Sequence, residues 1–165
     1  MGVKENLMAA FAGESQANRK YLAFAGQAEK EGYPMLARLF RAIAEAETIH
    51  ALKLLDIAGG VGSTRDNLGA ALEGETYEFT KMYPDFIADA EQEGDKAAQR
   101  IFHLANEAEK IHAERFKKAI GSLKGNQDFP AEAFFLCPVC GYLAENQAPE
   151  RCPICGAPGR SFKPY

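Results

Sequence analysis

Ala46-Glu-Thr-Ile-His-Ala51 and Ala108-Glu-Lys-Ile-His-Ala113 are one phrase written twice. Each copy sets a glutamate and a histidine three residues apart, Glu47 with His50 and Glu109 with His112. On a helix that spacing brings both side chains to one face, about one turn apart. A hard carboxylate beside an imidazole is a ready pair of ligands for a first-row metal.

Working outward, the chain around the phrase reads as helix. Residues 3–30 place Leu7, Phe11, Glu14, Asn18, Tyr21 and Ala25 on one seam. Gly32 suits a C-cap, and Pro34 suits the first turn of a second helix over 34–57. That helix carries Leu36, Phe40, Ile43, Glu47, His50, Leu54 and Ile57 at heptad-like spacing. Gly59-Gly-Val-Gly-Ser63 breaks the chain. A third helix carries Leu68, Leu72, Glu75, Phe79, Met82 and Phe86, with a kink expected at Pro84. Gly94-Asp95 marks the next break, and a fourth helix over 95–120 turns Phe102, Ala105, Glu109, His112, Phe116 and Ala119 inward. Four amphipathic helices predict a mainly α bundle.

Every helix interrupts its apolar seam near the middle with a glutamate: Glu14, Glu47, Glu75 and Glu109. One such glutamate is readily a solvated side chain on a wide polar face. Four of them, with two histidines, call for a shared partner, because an uncompensated carboxylate in a core costs several kcal/mol. The halves also repeat each other. Gly13-Glu14-Ser15 is answered by Gly74-Glu75-Thr76, and Lys20-Tyr21 by Lys81-Met-Tyr83. Glu14 precedes Glu47 by 33 residues, and Glu75 precedes Glu109 by 34. Each half is one helical hairpin supplying a Glu from its first helix and Glu-x-x-His from its second, the ligand set of ferritin-like di-iron carboxylate bundles. Glu78, one turn from Glu75, is a further carboxylate where the first half has Ala17.

The four cysteines all lie in the last 29 residues, as Cys137-Pro-Val-Cys140 and Cys152-Pro-Ile-Cys155. Two Cys-x-x-Cys pairs 11 residues apart, each followed by a glycine (Gly141, Gly156), read as two knuckles closing a tetrahedral four-thiolate site. Four thiolates suit zinc and iron alike. The chain therefore divides into a bundle over 1–124, a linker over 125–133 and a cysteine module over 134–165. A net charge of −4 with no basic stripe argues against nucleic acid as partner. With no bilayer-length apolar run and no signal-peptide pattern, a cytoplasmic protein without membrane partners is expected.

Taken together, Gly13-Glu14-Ser15, Glu47-x-x-His50, Glu75-x-x-Glu78, Glu109-x-x-His112 and the Cys-Pro-x-Cys-Gly pairs resemble the rubrerythrin family over essentially the full length. The resemblance implies an oxidoreductase of oxidative-stress defence, a non-haem di-iron peroxidase reducing hydrogen peroxide to water. It implies that Glu47 and Glu109 bridge two irons, that Glu14 is a terminal ligand on one, and that Glu75 and His112 bind the other. It implies that Glu78 and His50 exchange as ligands with redox state. Tyr21 and Tyr83 match tyrosines whose hydroxyls hydrogen-bond the ligand carboxylates, although both also fit as core aromatics. Cys137, Cys140, Cys152 and Cys155 would hold a rubredoxin-like iron, for about three irons per chain, refilled by an electron-donor protein such as a rubredoxin and its NAD(P)H reductase. His103, beside the seam, reads as a surface histidine.

Bundle order up, down, down, up makes the second connection run the bundle's length. From Glu47 to the end of its helix is about 15 Å, and from the third helix's start to Glu75 about 13 Å. The crossover must cover roughly 28 Å, plus a helix spacing of about 10 Å sideways, and segment 58–65 reaches at most about 28 Å. A domain-swapped homodimer, pairing residues 1–57 of one chain with 66–120 of another, would relieve this, as in some rubrerythrins. Two other functions share parts of the pattern. Iron storage by a ferroxidase needs a hollow shell that the cysteine module would obstruct, and a zinc-ribbon interaction module needs no turnover at the glutamates.

Overall fold

The computed structural model describes residues 2–165. Helices α1 (Val3–Lys30) and α2 (Pro34–Ile57) form the first hairpin. Its turn has the expected punctuation: Gly32 takes φ +82 just past the end of α1, and Pro34 opens α2. The second half comprises α3 (Thr64–Tyr77), a π-helical turn (Glu78–Met82), α4 (Tyr83–Glu93) and α5 (Lys96–Lys124). Ser63 caps α3 in a reciprocal capping box with Asp66. Gly94 ends α4 at φ 72, and the Asp95 carboxylate accepts from the backbone N–H of Ala97 and Ala98 to start α5. The cysteine module adds a three-stranded antiparallel sheet in the order β2-β1-β3, with β1 Phe134–Leu136, β2 Leu143–Glu145 and β3 Lys163–Pro164.

Three expectations are corrected. The irregularity in the third bundle helix is not a kink at Pro84, which sits comfortably in the first turn of α4, but the π-helical turn just before it. A π turn accommodates one extra residue in a helix. The repeat shows where that residue went: Tyr21 follows Glu14 by seven positions, whereas Tyr83 follows Glu75 by eight. The unequal 33- and 34-residue spacings thus have one cause, an insertion absorbed at 78–82 that keeps Tyr83 aligned with Tyr21. Second, α5 runs on through Ile120 to Lys124, because Gly121-Ser-Leu-Lys124 still donates the helical ladder.

Third, the seam of α2 is not a buried core within the chain. Leu36 is 50% exposed and Ile57 72%, with Ile43 and His50 also exposed, and Phe86 of the second half joins them. The α1/α2 hairpin instead closes through small residues, with Ala25, Ala28 and Ala37 forming its buried cluster beside Phe40. Alanines permit close helix approach, whereas the larger seam residues stand on a face that a two-helix layer cannot cover.

The chain parts into two compact units at Gly62/Ser63. In the second unit the module packs on α5: Leu104 lies against the core of Cys137, Cys140, Ala144, Cys152 and Phe162. Among the described residues, no helix is long and apolar enough to cross a membrane.

Candidate metal centres

Three clusters of metal-ligating side chains occur among the described residues: Glu14 with Glu47 and His50, Glu75 with Glu109 and His112, and the four cysteines, each with donor atoms within 4.8 Å of one another. One carboxylate–histidine cluster belongs to each unit.

In the first cluster, α1 presents Glu14 and α2 presents Glu47 and His50. His50 Nδ1 lies 2.9 Å from a Glu47 carboxylate oxygen and 4.0 Å from one of Glu14. The level of α1 against α2 is held by Asn18, one turn past Glu14. Its buried amide donates to the Ala44 carbonyl at 2.6 Å and to Thr48 Oγ1 at 2.8 Å, while its oxygen accepts from Arg19 Nε. Asn18 was visible as a polar residue on the α1 seam, but a lone sequence does not say what faces it.

In the second cluster, His112 Nδ1 sits 2.6 Å from a Glu109 oxygen and 3.6 Å from one of Glu75. Its other ring nitrogen lies 2.9 Å from the Gly141 carbonyl. A carbonyl only accepts, so Nε2 carries a hydrogen there, which leaves Nδ1, facing the carboxylates, as the nitrogen available to a metal. The two histidines are therefore not equivalent: His112 is anchored and 25% exposed, His50 is 57% exposed. Burial first, and then the Glu109 carboxylate against it, push the Glu75 carboxyl up to about 6, with His112 opposing. Glu78, at the start of the π turn, is raised by burial and by the charge of Glu75. Tyr83 is raised by burial and then by Glu109, Glu78 and Glu75, so its hydroxyl stays protonated among the acids. Tyr21 packs against the rings of Phe24 and Phe40. His103 is exposed.

In the cysteine module, Cys137 Sγ lies 3.5 Å from Cys155 Sγ, and Cys140 Sγ 3.5 Å from Cys152 Sγ. A tetrahedral metal with bonds of about 2.3 Å needs edges of about 3.8 Å, so the four free thiols are already spaced for one ion. Burial pushes the Cys137 thiol up, but the backbone N–H groups of Val139 and Cys140 and the neighbouring thiols bring it below its usual value. Gly141 at φ +83 and Gly156 at φ +76 make the left-handed turns after each pair. A Cβ on Gly141 would stand 3.8 Å from the Ala108 Cβ and 4.0 Å from His112 Cε1, so the first knuckle lies directly on α5.

The donor sets fit the groups they imply. Hard carboxylates with one imidazole per cluster suit a di-iron carboxylate site, and four thiolates at tetrahedral spacing suit a rubredoxin-like iron, about three irons per chain.

Comparison with known proteins agrees. The family model described as Rubrerythrin matches residues 5–120, and that of the rubrerythrin rubredoxin-like domain matches 135–163. Rubrerythrin-2 of Clostridium acetobutylicum is 40% identical over 173 residues, spanning 96% of this chain and 94% of that protein. Nigerythrin of Nitratidesulfovibrio vulgaris is 41% identical over 175 residues, spanning 98% of this chain and 85% of that protein. Among solved structures, the fully reduced, all-ferrous state of nigerythrin aligns with a TM-score of 0.58 at 39% identity, covering 100% of this chain and 88% of that one.

Proposed function

This chain belongs to the rubrerythrin family, and from that premise we propose that it is a cytoplasmic peroxidase of oxidative-stress defence, reducing hydrogen peroxide to water with electrons relayed from its four-cysteine centre. When bound, a pair of irons among the carboxylates supplies two electrons to peroxide and a third iron among the thiolates replaces them one at a time. The observation that carries this reading is the double contact of His112, whose Nδ1 faces Glu75 and Glu109 while its Nε2–H meets the Gly141 carbonyl, next to Cys140. One imidazole thus touches both centres.

The residues divide the work accordingly. Glu47 and Glu109, each beside a histidine, would be the glutamates shared by the two irons, and Glu14 and Glu75 would each hold one. His112 is oriented by Gly141, whereas His50 is held by the Glu47 carboxylate and is more exposed, so it would be the imidazole that exchanges with the Glu78 carboxylate. Reduction of peroxide to two waters consumes two protons. The Tyr83 hydroxyl, kept protonated by burial and by the charges of Glu109, Glu78 and Glu75, is a proton donor available beside the site. The donor of electrons to the thiolates is a small redox protein such as a rubredoxin, fed by an NAD(P)H reductase.

The site is completed between two chains. The connection between Ile57 and Thr64 spans only residues 58–63, a reach of about 21 Å, while the two helical stretches to Glu47 and Glu75 alone require about 31 Å in the ferritin-like order. In a swapped homodimer the exposed apolar seam of α2 meets the second half of the partner chain. Two experiments test these statements. Iron-loaded, reduced protein should be oxidised by stoichiometric peroxide within seconds, and Glu47→Ala should lose this; a variant with normal turnover would overturn the assignment. Mixing inactive Glu47→Ala and Glu109→Ala chains through a denature–refold cycle should restore about a quarter of the activity, because each swapped heterodimer holds one intact site. No restoration means each site is built by one chain.

A further inference from the structure

Beyond His112, the same face of α5 grips the cysteine module twice more, at Arg115 and Lys118. Arg115 Nε lies 3.0 Å from Glu145 Oε1, off the N–H direction, and its terminal nitrogen reaches the Leu143 carbonyl at 3.4 Å. Lys118 Nζ pairs with Glu145 Oε2 and also lies 5.0 Å from the Phe129 ring centroid. The pattern is regular. Every third residue of the helix (112, 115, 118) meets every second residue of the strand segment (141, 143, 145), through a carbonyl, a carbonyl and a carboxylate. Glu145 ends that series with its side chain only 15% exposed and two cations on one carboxylate. It belongs to none of the three metal-ligating clusters.

We propose that Glu145 is a positioning residue, a charged latch that holds the four-cysteine module on α5 so that the Nε2–H of His112 stays on the Gly141 carbonyl. The reasoning rests on the relay read above. One electron leaves the ferrous thiolate iron, which becomes ferric, and reduces the di-iron centre by one; an external reductase resupplies it. Electron transfer through a hydrogen-bonded contact is steep in distance, whereas the chemistry of each centre on its own does not involve Glu145. Loss of the latch therefore slows the transfer and leaves both centres intact. A partly exposed ion pair is screened by salt, so the transfer should also weaken as ionic strength rises. Without Glu145, Arg115 and Lys118 would confront no anion on β2, and the module would hold by Leu104, the His112 contact and the long Arg115–Leu143 hydrogen bond.

The test uses the full iron-loaded chain and its Glu145→Gln variant, with two readouts. Hydrogen exchange of the backbone amides over 134–146 should rise at least about fivefold in the variant, independent of any turnover. In stopped flow with one peroxide per di-iron centre, the visible band of ferric thiolate iron should grow about tenfold or more slowly than in the parent, with oxidation of the di-iron pair unchanged. The parent's rate should fall between low and high salt, and the variant's should not. Reversing the pair as Arg115→Glu with Glu145→Arg should recover part of the lost rate, which loss of folding would not allow. Unchanged exchange, or a parental rate of thiolate-iron oxidation in Glu145→Gln, overturns the latch. If the thiolate iron of the parent itself fails to respond to peroxide, the relay reading falls instead, while hydrogen exchange still decides on the latch.

Discussion

Replacing Asn18 isolates the contact that sets the level of α1 against α2, and with it the meeting of Glu14 with Glu47 and His50. The amide is 7% exposed and makes two interhelical hydrogen bonds, to Ala44 O and Thr48 Oγ1. Asn18→Ala removes both. The acceptors are not orphaned, because Thr48 Oγ1 also donates to Ala44 O at 3.2 Å and both belong to helix α2. The loss is therefore the net value of two hydrogen bonds, about 1 kcal/mol each, giving about 2 kcal/mol. In a chain of this length that lowers Tm by roughly 4–8 °C. Asn18→Asp should cost more than Ala: it replaces the donating amide by an acceptor facing a carbonyl, and buries a charge one turn from Glu14. Thr48→Val removes one of the two bonds, so a double-mutant cycle with Asn18→Ala should show a coupling of about 1 kcal/mol. Urea unfolding of the metal-free protein measures all three, with an unchanged slope as the check that only the folded state was altered. An Ala variant within about 0.5 kcal/mol of the parent, or an Asp variant no worse than Ala, would refute the assignment of hairpin register to Asn18.

Glu75 gives a pH signature. Its carboxyl in the metal-free fold titrates near 6, above the unfolded value of 4.5, so the folded state holds a proton there that the unfolded chain has released. Stability of the metal-free protein is thus eroded by this group as pH rises through that window, and metal binding below it must eject the proton. Metal affinity should climb with pH most steeply near 6, with proton release measurable by titration calorimetry in two buffers, and Glu75→Gln should flatten the climb. The two knuckle glycines form a matched control. Gly141→Ala and Gly156→Ala both force an L residue to positive φ, at about 1 kcal/mol each. Only the first adds a methyl group against Ala108 and His112, so only Gly141→Ala should also slow reoxidation of the thiolate iron after peroxide. Equal electron-transfer rates in the two variants would mean that the first knuckle is not the exit route.

The parts of this molecule that were legible in the chain alone are those with a local cause. Gly32, Pro34, Gly94 and Asp95 announce helix ends because φ and capping are properties of one or two residues. The glutamates and histidines announce themselves because a carboxylate on an apolar stripe has no structural excuse, and because the phrase is repeated. What escaped has distant causes. Glu145 carries no mark distinguishing it from any strand-end glutamate; its meaning comes from Arg115 and Lys118, some 27 to 30 residues earlier, on a different element. The exposure of the α2 seam within the chain was not legible for a related reason: periodicity reports which face is apolar, never what covers it.

The π turn is the instructive middle case. Its trace was present as one unmatched residue between Glu75 and Tyr83, in spacings already counted, yet a single insertion leaves a helical pattern nearly intact. Its consequence falls on function. The first hairpin runs from Glu14 through Ala17 to Tyr21 in unbroken helix, whereas the second widens its helix at Glu78, the one carboxylate without a counterpart. Two hairpins that began alike have thus diverged at one point, and in opposite senses at their histidines. The second gained an extra acid in a loosened turn and an anchored His112, the first kept a regular helix and an exposed His50. The two half-sites are thus asymmetric, and in the proposed exchange the carboxylate would come from one half and the imidazole from the other. If that is the origin of the exchange, deleting Thr80 to restore regular helix should leave the cysteine centre intact and stop Glu78 from serving the site, so that metal-site spectra of the deletion variant and of Glu78→Ala coincide.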